Sequence, residues 1–156
     1  MQGTLPVILT FIAAALNGLL AGASLDQSLK QLPARRRMGV SAFSLYSRSA
    51  DLSRNGVVWY VFLGISAALV TLAAAVATFV TGSAQPLPIL FAAILSVLHS
   101  IATSQAAPTN FRQLKVLNDE AALAAVFDTF ERWQMVRVIL QVCTFAVTLW
   151  AIFVLS

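Results

Sequence analysis

The fold is decided by the stretch WQMVRVILQVCTFAVTLWAIFVL, residues 133–155. Most of it is Val, Ile, Leu, Phe and Ala, which suit the hydrocarbon of a bilayer. Its polar residues recur at steps of three, four, three and four, the spacing that stacks side chains on one helical face. They are Gln134, Arg137, Gln141, Thr144 and Thr148. Since a polar line in a membrane helix must turn away from lipid, the stretch predicts partner helices with polar groups between them.

The composition of the whole chain agrees with that interpretation. Of its 156 residues, 59% are hydrophobic and 10% are charged, with a mean hydropathy of +0.83, whereas an average soluble domain has about 25% charged residues. Four spans of about 20 residues each, with their connections, leave no room for a soluble catalytic domain. We therefore expect one all-α domain, residues 1–156, that is an integral membrane four-helix bundle with short cytoplasmic amphipathic helices.

Apolar runs place the four spans at about residues 5–25, 57–82, 86–107 and 133–155. In the first span, Ala14, Gly18 and Gly22 form a ridge of small residues that permits close approach by a neighbouring helix. Basic residues follow this span rather than precede it, which favours a retained helix over a cleaved signal peptide. Pro108 predicts that the third span ends near residue 107, because proline disfavours helix for the residue before it.

Charged side chains occur only in two segments, 26–54 and 112–137. These segments follow spans one and three, so they lie on the same side of the membrane. The positive-inside rule predicts that this side is cytoplasmic and that both termini are extracytoplasmic. The formal net charge of +4 fits that topological signal, and no basic groove or aromatic platform predicts binding to nucleic acid.

Both charged segments also contain helical patterns. The spacing of Val40, Phe43, Tyr46 and Ala50 predicts a short amphipathic helix in the headgroup region, and an ordinary basic loop is the alternative. A second pattern begins at Asn118 or Asp119, either of which can cap a helix. Its apolar side consists of Leu123, Phe127 and Phe130. No Pro or Gly interrupts residues 119–156, so this helix can join span four and, at about 1.5 Å per residue, exceed the bilayer's thickness.

A further polar line in span three suggests a site. Ser96, His99, Thr103 and Asn110 share one helical face. Counted from the charged end of each span, His99, Gln141 and Asn17 reach similar depths at about 1.5 Å per residue. We expect these three to line one interior cavity, with His99 as a candidate catalytic base. The alternative is that His99 only bridges helices structurally.

A second polar layer is expected closer to the charged side, where Asp26, Asn110, Trp133 and Arg137 reach similar depths. Arg at a span centre costs about 2.5–3.5 kcal/mol on insertion scales, so a partner is expected. Asp26 is the acidic residue closest to the end of span one, and we predict a structural ion pair between Asp26 and Arg137. The alternative is that Arg137 extends to the headgroups without a partner.

Metal chemistry is not expected from this sequence. A zinc or di-iron centre needs three or four His, Cys or carboxylate ligands, and the bundle offers His99, Cys143 and Asp26. No glycine-rich phosphate loop and no Ser-His-Asp set is evident, so no cofactor is predicted. The single cysteine, Cys143, lies within an apolar span and cannot form an internal disulfide.

Three short motifs resemble the anthrone-oxygenase-like family of small four-span membrane proteins. They are Gly18-Leu-Leu-Ala-Gly22 leading to Leu32-Pro33, then Pro108-Thr-Asn110, and Glu131-Arg-Trp133 followed by Arg137. The resemblance covers most of the chain in layout and implies a four-helix bundle. It also implies oxidation of an anthrone to an anthraquinone without metal or flavin, with Asn110, Trp133 and Arg137 as the corresponding positions. The chain differs in having one His in total.

Two functions from different classes are therefore open. The first is a cofactor-independent oxygenase or binder that holds a planar phenolic or quinonoid molecule inside the bundle, with Gln141 or Asn17 orienting its oxygens. The second is a non-catalytic accessory subunit whose apolar faces pack against a larger membrane protein. A ligand cavity beside His99 favours the first function, whereas a protein interface on the small-residue faces of spans one and two favours the second.

Overall fold

The structure is a computed structural model that describes residues 4–82 and 85–155, and the elements in those residues are helical. Helix α1, Thr4–Asp26, continues through a π-helical stretch, Gln27–Gln31, into α2, Leu32–Met38. Helix α3 is Val40–Ser49 and α4 is Arg54–Val80. Helix α5, Leu87–Phe111, ends in a 3-10 turn, Arg112–Lys115, and α6 is Glu120–Leu155.

Four helices in the described residues are long and apolar enough to cross a membrane: Thr4–Met38, Arg54–Val80, Leu87–Lys115 and Glu120–Leu155. The prediction of an all-α bundle with four spans is confirmed. Helix α6 packs against α5 and α1, while α4 packs against the other sides of α1 and α5, so the contacts form a closed ring. The chain is thus a multi-pass helical membrane protein.

Small residues set the spacing of this ring. Ala13, Ala74, Ala92 and Ala151 are each fully buried. A Cβ added to Gly18 would lie 2.9 Å from Cε2 of Phe145, so α1 and α6 approach closely at this point. Glycine and alanine allow such contacts because they remove the side-chain volume that otherwise separates two helices.

The polar line of α6 faces the interior, as its spacing predicts. Gln134, Gln141, Thr144 and Thr148 are at most 2% exposed. The two threonines donate their hydroxyls to backbone carbonyls of their own helix, at 2.7 Å each. The two glutamines bond through their side chains instead, Gln134 to Arg137 on the same helix and Gln141 to His99 on α5.

The first half of α6 extends beyond the span and forms the charged end of the bundle, which comprises residues 26–54 and 112–137. The carboxylate of Asp119 accepts from the backbone N–H of Ala122 at 2.9 Å and caps α6, which confirms one of the two predicted caps. Leu123, Phe127 and Phe130 are buried in one cluster with Leu32, Phe43 and Ala106. Helix α6 therefore joins the membrane core to the charged end without a break.

A buried cation fastens α2 to α6 in this region. The Arg35 guanidinium contacts the carboxylates of Asp128 at 2.7 Å and Glu131 at 3.1 Å, and its side chain is only 11% exposed. It also lies 5.8 Å from the ring centroid of Phe127. Carboxylates and an aromatic face together compensate the desolvation of the cation.

One local prediction is confirmed and one is wrong. The predicted short helix exists as α3, and its buried residues are Phe43, Ser44 and Ser47, whereas Tyr46 is exposed. The serines are buried because both contact the side chain of Gln113, a partner that apolar periodicity cannot indicate. Helix α5 does not end before Pro108 but continues to Phe111. Packing of the neighbouring buried residues, such as Asn110, outweighs the backbone hydrogen bond that proline cannot donate.

Candidate functional site

The interior contains a cavity of about 480 Å³ that extends from the middle of the bundle to its charged end. Helix α4 supplies much of one wall and α5 much of the other. Polar lining residues are Gln27, Asp51, Tyr60, His99, Ser100, Thr103, Asn110 and Arg137. The remaining walls are apolar, and a volume of this size lies within the usual range of small-molecule sites.

The cavity opens toward the lipid-facing side of the bundle between α4 and α5. Three of its lining residues on α4, Val61, Ile65 and Leu69, are 52%, 55% and 61% exposed. Phe111 on α5 lines the same cavity and is also exposed. Gly64 lies between these residues, and a Cβ added there would meet nothing within 4 Å. The cavity is therefore open at the outer surface of the bundle, beside exposed apolar side chains.

His99 lies on the cavity wall and is 6% exposed. Its Nε2 is 2.6 Å from the side-chain nitrogen of Gln141 on α6 and 3.1 Å from the hydroxyl of Thr103, one turn along α5. The ring is thus oriented by one partner on a neighbouring helix and one on its own helix. This arrangement keeps the imidazole fixed toward the cavity.

The hydrogen bond from Gln141 determines which ring nitrogen can act as a base. When the Gln141 amide donates to Nε2 of His99, that nitrogen is an acceptor and the ring proton lies on Nδ1. The Gln141 oxygen is buried without a hydrogen-bond partner among the described residues. Rotating the amide by half a turn would let this oxygen accept from Nε2–H and leave Nδ1 as the acceptor. In the first arrangement the Nε2 lone pair is occupied by Gln141, so only the second leaves a ring nitrogen, Nδ1, free to accept a proton from a ligand.

Neither Asn17 nor Gln141 lines the cavity, so the prediction of one cavity lined by His99, Gln141 and Asn17 is wrong for both residues. Gln141 contacts the ring of His99, whereas Asn17 contacts neither of them. Its side-chain amide donates to the Thr71 hydroxyl at 2.9 Å and to the backbone carbonyl of Ala13 at 2.8 Å. Thr71 on α4 satisfies Asn17 locally, and neither residue lines the cavity. Equal depth therefore did not imply convergence, because the rotation of α1 directs Asn17 toward α4.

The predicted Asp26–Arg137 ion pair does not form among the described residues. The Asp26 carboxylate instead contacts Lys30, one turn later, and accepts from Gln31 at 2.7 Å. Arg137 donates from Nη1 to the side-chain oxygen of Gln134 at 2.8 Å. The helix continues through Asp26 into the π-helical stretch, and the local partners Lys30 and Gln31 take up its carboxylate. Arg137 does line the cavity, as the prediction of a ligand-binding role required.

Asn110 and Trp133 occupy different surroundings. Asn110 is buried, lines the cavity, and its side-chain oxygen accepts from the Gln113 amide at 2.8 Å. Trp133 packs against the apolar cluster at the charged end and is not among the cavity residues. The ring of Trp133 packs beside phenylalanines and a leucine of this cluster, so the structure does not bring Trp133 together with Asn110 and Arg137 at the cavity.

Sequence reasoning missed the polar pair at the charged end of the cavity. Gln27, at the start of the π-helical stretch, donates to the Asp51 carboxylate at 3.0 Å, and both line the cavity. Burial raises the pKa of the Asp51 carboxyl above its usual range, and the hydrogen bond from Gln27 offsets part of that rise. A Cβ on Gly56 would lie 2.2 Å from the Ala50 carbonyl oxygen, so the turn that positions Asp51 requires glycine. The glycine at position 56 was the available signal in the sequence.

No group of three or more His, Cys, Asp or Glu side chains able to hold a metal ion occurs within residues 4–82 and 85–155. Cys143 is an exposed free cysteine on α6. Comparison of the chain with protein-family models, curated proteins and solved structures gives no match. Fold and site together define a multi-pass helical bundle with a cavity that is open at its surface.

Proposed function

We propose that this protein binds a planar phenolic or quinonoid molecule in its interior cavity and acts on it as a cofactor-independent oxygenase. The observation that carries this proposal is the position of His99 on the wall of a cavity that opens to the hydrocarbon. A flat hydrophobic molecule partitions into the bilayer, and the gap between α4 and α5 gives it a path to an imidazole. The resemblance to anthrone-oxygenase-like proteins supplies the substrate class.

The polar groups in the cavity suit such a ligand. His99 can accept a proton from an acidic carbon or hydroxyl, while Asn110 and Arg137 can donate to its oxygens. The rest of the wall is largely apolar and includes Leu20, Ile65 and Leu69. An apolar pocket with few convergent polar groups is typical of small-molecule sites.

The reaction requires molecular oxygen as the co-reactant. His99 would remove a proton from the methylene carbon of an anthrone, and the resulting carbanion would form a carbon–oxygen bond with O2. Loss of water from the hydroperoxide then gives the second carbonyl and returns the proton from His99. One anthrone and one O2 yield one anthraquinone and one water, so O2 is reduced and the methylene carbon is oxidised.

Filling the cavity opening tests the binding step. Gly64→Leu places an isobutyl group in the opening, where a Cβ meets nothing within 4 Å. Gly22→Leu is the matched control, because a Cβ at Gly22 also meets nothing within 4 Å and Gly22 does not line the cavity. Binding of 1,8-dihydroxyanthraquinone to the full chain in lipid nanodiscs is measured by the change in its visible absorbance, with protein-free nanodiscs as the blank.

We expect at least about tenfold weaker binding in Gly64→Leu and unchanged binding in Gly22→Leu, since loss of a few apolar contacts costs over about 1.4 kcal/mol. Equal binding by both variants would place the ligand elsewhere. Wild-type protein that binds no planar phenol would contradict the proposal and favour the accessory-subunit function. Turnover is tested separately by anthraquinone formation from anthrone, with and without O2.

A further inference from the structure

Arg137 is a partly buried cation that has no carboxylate partner within residues 4–82 and 85–155. One of its nitrogens donates to the neutral oxygen of Gln134, while Nε is buried and has no hydrogen-bond partner among the described residues. Every salt bridge of the described residues involves another cation, Lys30 or Arg35. Burying a cation beside a single neutral acceptor is costly, so this position requires another explanation.

The neighbouring carboxylates do not supply that charge. Asp26 contacts Lys30, and Asp51 accepts from Gln27 on the cavity wall. Burial without a neighbouring cation raises the pKa of the Asp51 carboxyl, which agrees with a separation between Asp51 and Arg137. Asp128 and Glu131 both contact Arg35. The space left next to Arg137 is therefore the cavity itself.

We propose that Arg137 binds an acidic oxygen, a carboxylate or phenolate, of a hydrophobic ligand whose apolar body fills the cavity. This inference rests on the proposed binding of a ligand in the same cavity and adds that the ligand is an organic acid. Arg137 is close to the charged end, whereas Ile65 and Leu69 line the deeper, lipid-facing wall. The acidic group would thus point to the charged end and the apolar body to the opening.

The guanidinium geometry suits this role. Its free Nε–H and the neighbouring Nη can donate two parallel hydrogen bonds to the oxygens of one carboxylate, or share one phenolate oxygen. Gln134, fully buried and one turn earlier on α6, holds the other side of the guanidinium through Nη1. Gln134 does not line the cavity and is thus a positioning residue.

A matched pair of probes tests the charge requirement. Binding of 9-anthracenecarboxylate and its neutral carboxamide to the full chain in nanodiscs is followed by probe fluorescence at neutral pH. We expect wild-type protein to bind the acid at least about tenfold more tightly than the amide, because a hydrogen bond to a charged group is about twice as strong as a neutral one. Arg137→Gln should remove that preference and leave the affinity for the amide unchanged. Arg132→Gln, an exposed charge removal on the same helix, should leave both affinities unchanged.

A second measurement needs no variant. Phenylglyoxal modifies arginine, and mass spectrometry of wild-type protein should show that the acid protects Arg137 while the amide does not. Equal affinities for both probes, or no protection of Arg137, would overturn the charge inference and leave the proposed cavity function intact. Failure of wild-type protein to bind either probe would overturn both.

Discussion

His99 and Gln141 connect α5 and α6 across the interior, with 2.6 Å between Nε2 of the imidazole and the side-chain nitrogen of the amide. Removing the amide should destabilise the bundle. We expect Gln141→Leu to lower the free energy of unfolding by about 1 kcal/mol, the net worth of one buried hydrogen bond. Thr144→Val is the control, because the Thr144 hydroxyl bonds only to its own helix at Leu140. Thermal unfolding in detergent measures both, and equal shifts would contradict a special role for the His99–Gln141 pair.

Substitution of His99 should separate binding from turnover. His99→Gln keeps a hydrogen-bonding side chain but cannot take up a proton, so it should bind the planar phenol while losing about 10²–10⁴-fold in turnover. His99→Phe should lose both. Absorbance titration and anthraquinone formation give the two readouts. Unchanged turnover in His99→Gln would remove His99 as the base, and unfolding of both variants would favour its structural role.

The close approach of α1 to α6 at Gly18 should be sensitive to side-chain volume. A Cβ at Gly18 lies 2.9 Å from the Phe145 ring, whereas one at Gly22 meets nothing within 4 Å. Gly18→Val should therefore cost about 1–3 kcal/mol through overpacking. Gly22→Val, one helical turn away on the same ridge, should change stability far less. Similar melting temperatures for the two variants would mean that α1 moves freely against α6.

Asp51 should make stability depend on pH. Since burial raises the pKa of the folded carboxyl above 3.8, the folded chain takes up this proton at a higher pH than the unfolded chain does, and wild-type protein gains stability as pH falls through the raised pKa. Asp51→Asn keeps an acceptor for Gln27 and removes the charge. We expect it to raise the melting temperature at neutral pH, by about 2–4 °C for each kcal/mol. The difference should shrink as pH falls toward 3.8, and a constant difference would exclude ionisation of Asp51 as its cause.

The charge distribution predicts the orientation in the membrane, and cysteine labelling tests that prediction. Arg36 and Gln85 are both exposed, and they lie before and after the second membrane span, α4. Each is replaced by a single cysteine. The Cys143→Ser background removes the native thiol. In sealed cells, a membrane-impermeant maleimide should label Gln85→Cys and spare Arg36→Cys. Labelling of the cysteine at position 36 alone would invert the topology.

Much of the fold could be predicted from periodicity and composition. The polar line from Gln134 to Thr148 predicted a buried face, and that face is buried, whereas apolar residues on other sides of α6, such as Ile139 and Phe153, are exposed on the surface of the bundle. The absence of Pro and Gly from residues 119–156 predicted that the helix at the charged end continues into span four, and both are parts of one helix, α6. Pro108 predicted an earlier end for α5 than the structure has, because tertiary packing around Asn110 outweighed the local propensity of proline to end a helix.

A contact between two site residues was predictable only where both lie at the same depth and on helix faces that turn toward each other. His99 and Gln141 met because both lie on polar faces of adjacent helices, whereas Asn17 found Thr71 on a helix whose rotation the sequence does not fix. The Asp51–Gln27 pair depends on a turn and a π-helical stretch, and neither has a periodic signature. A local ion pair, Asp26 with Lys30, likewise replaced the long-range one expected for Arg137.

The exposed apolar rim of Val61, Ile65 and Leu69 changes what selects a ligand. A molecule that enters from the hydrocarbon has already left water, so the hydrophobic effect adds little to its transfer into the cavity. Occupancy then follows the mole fraction of ligand in the lipid rather than its aqueous concentration, and adding lipid at fixed total ligand dilutes it. Molecules of equal hydrophobicity would then be distinguished by their shape and by their polar contacts with His99, Asn110 and Arg137, because the hydrocarbon of a bilayer offers no such contacts.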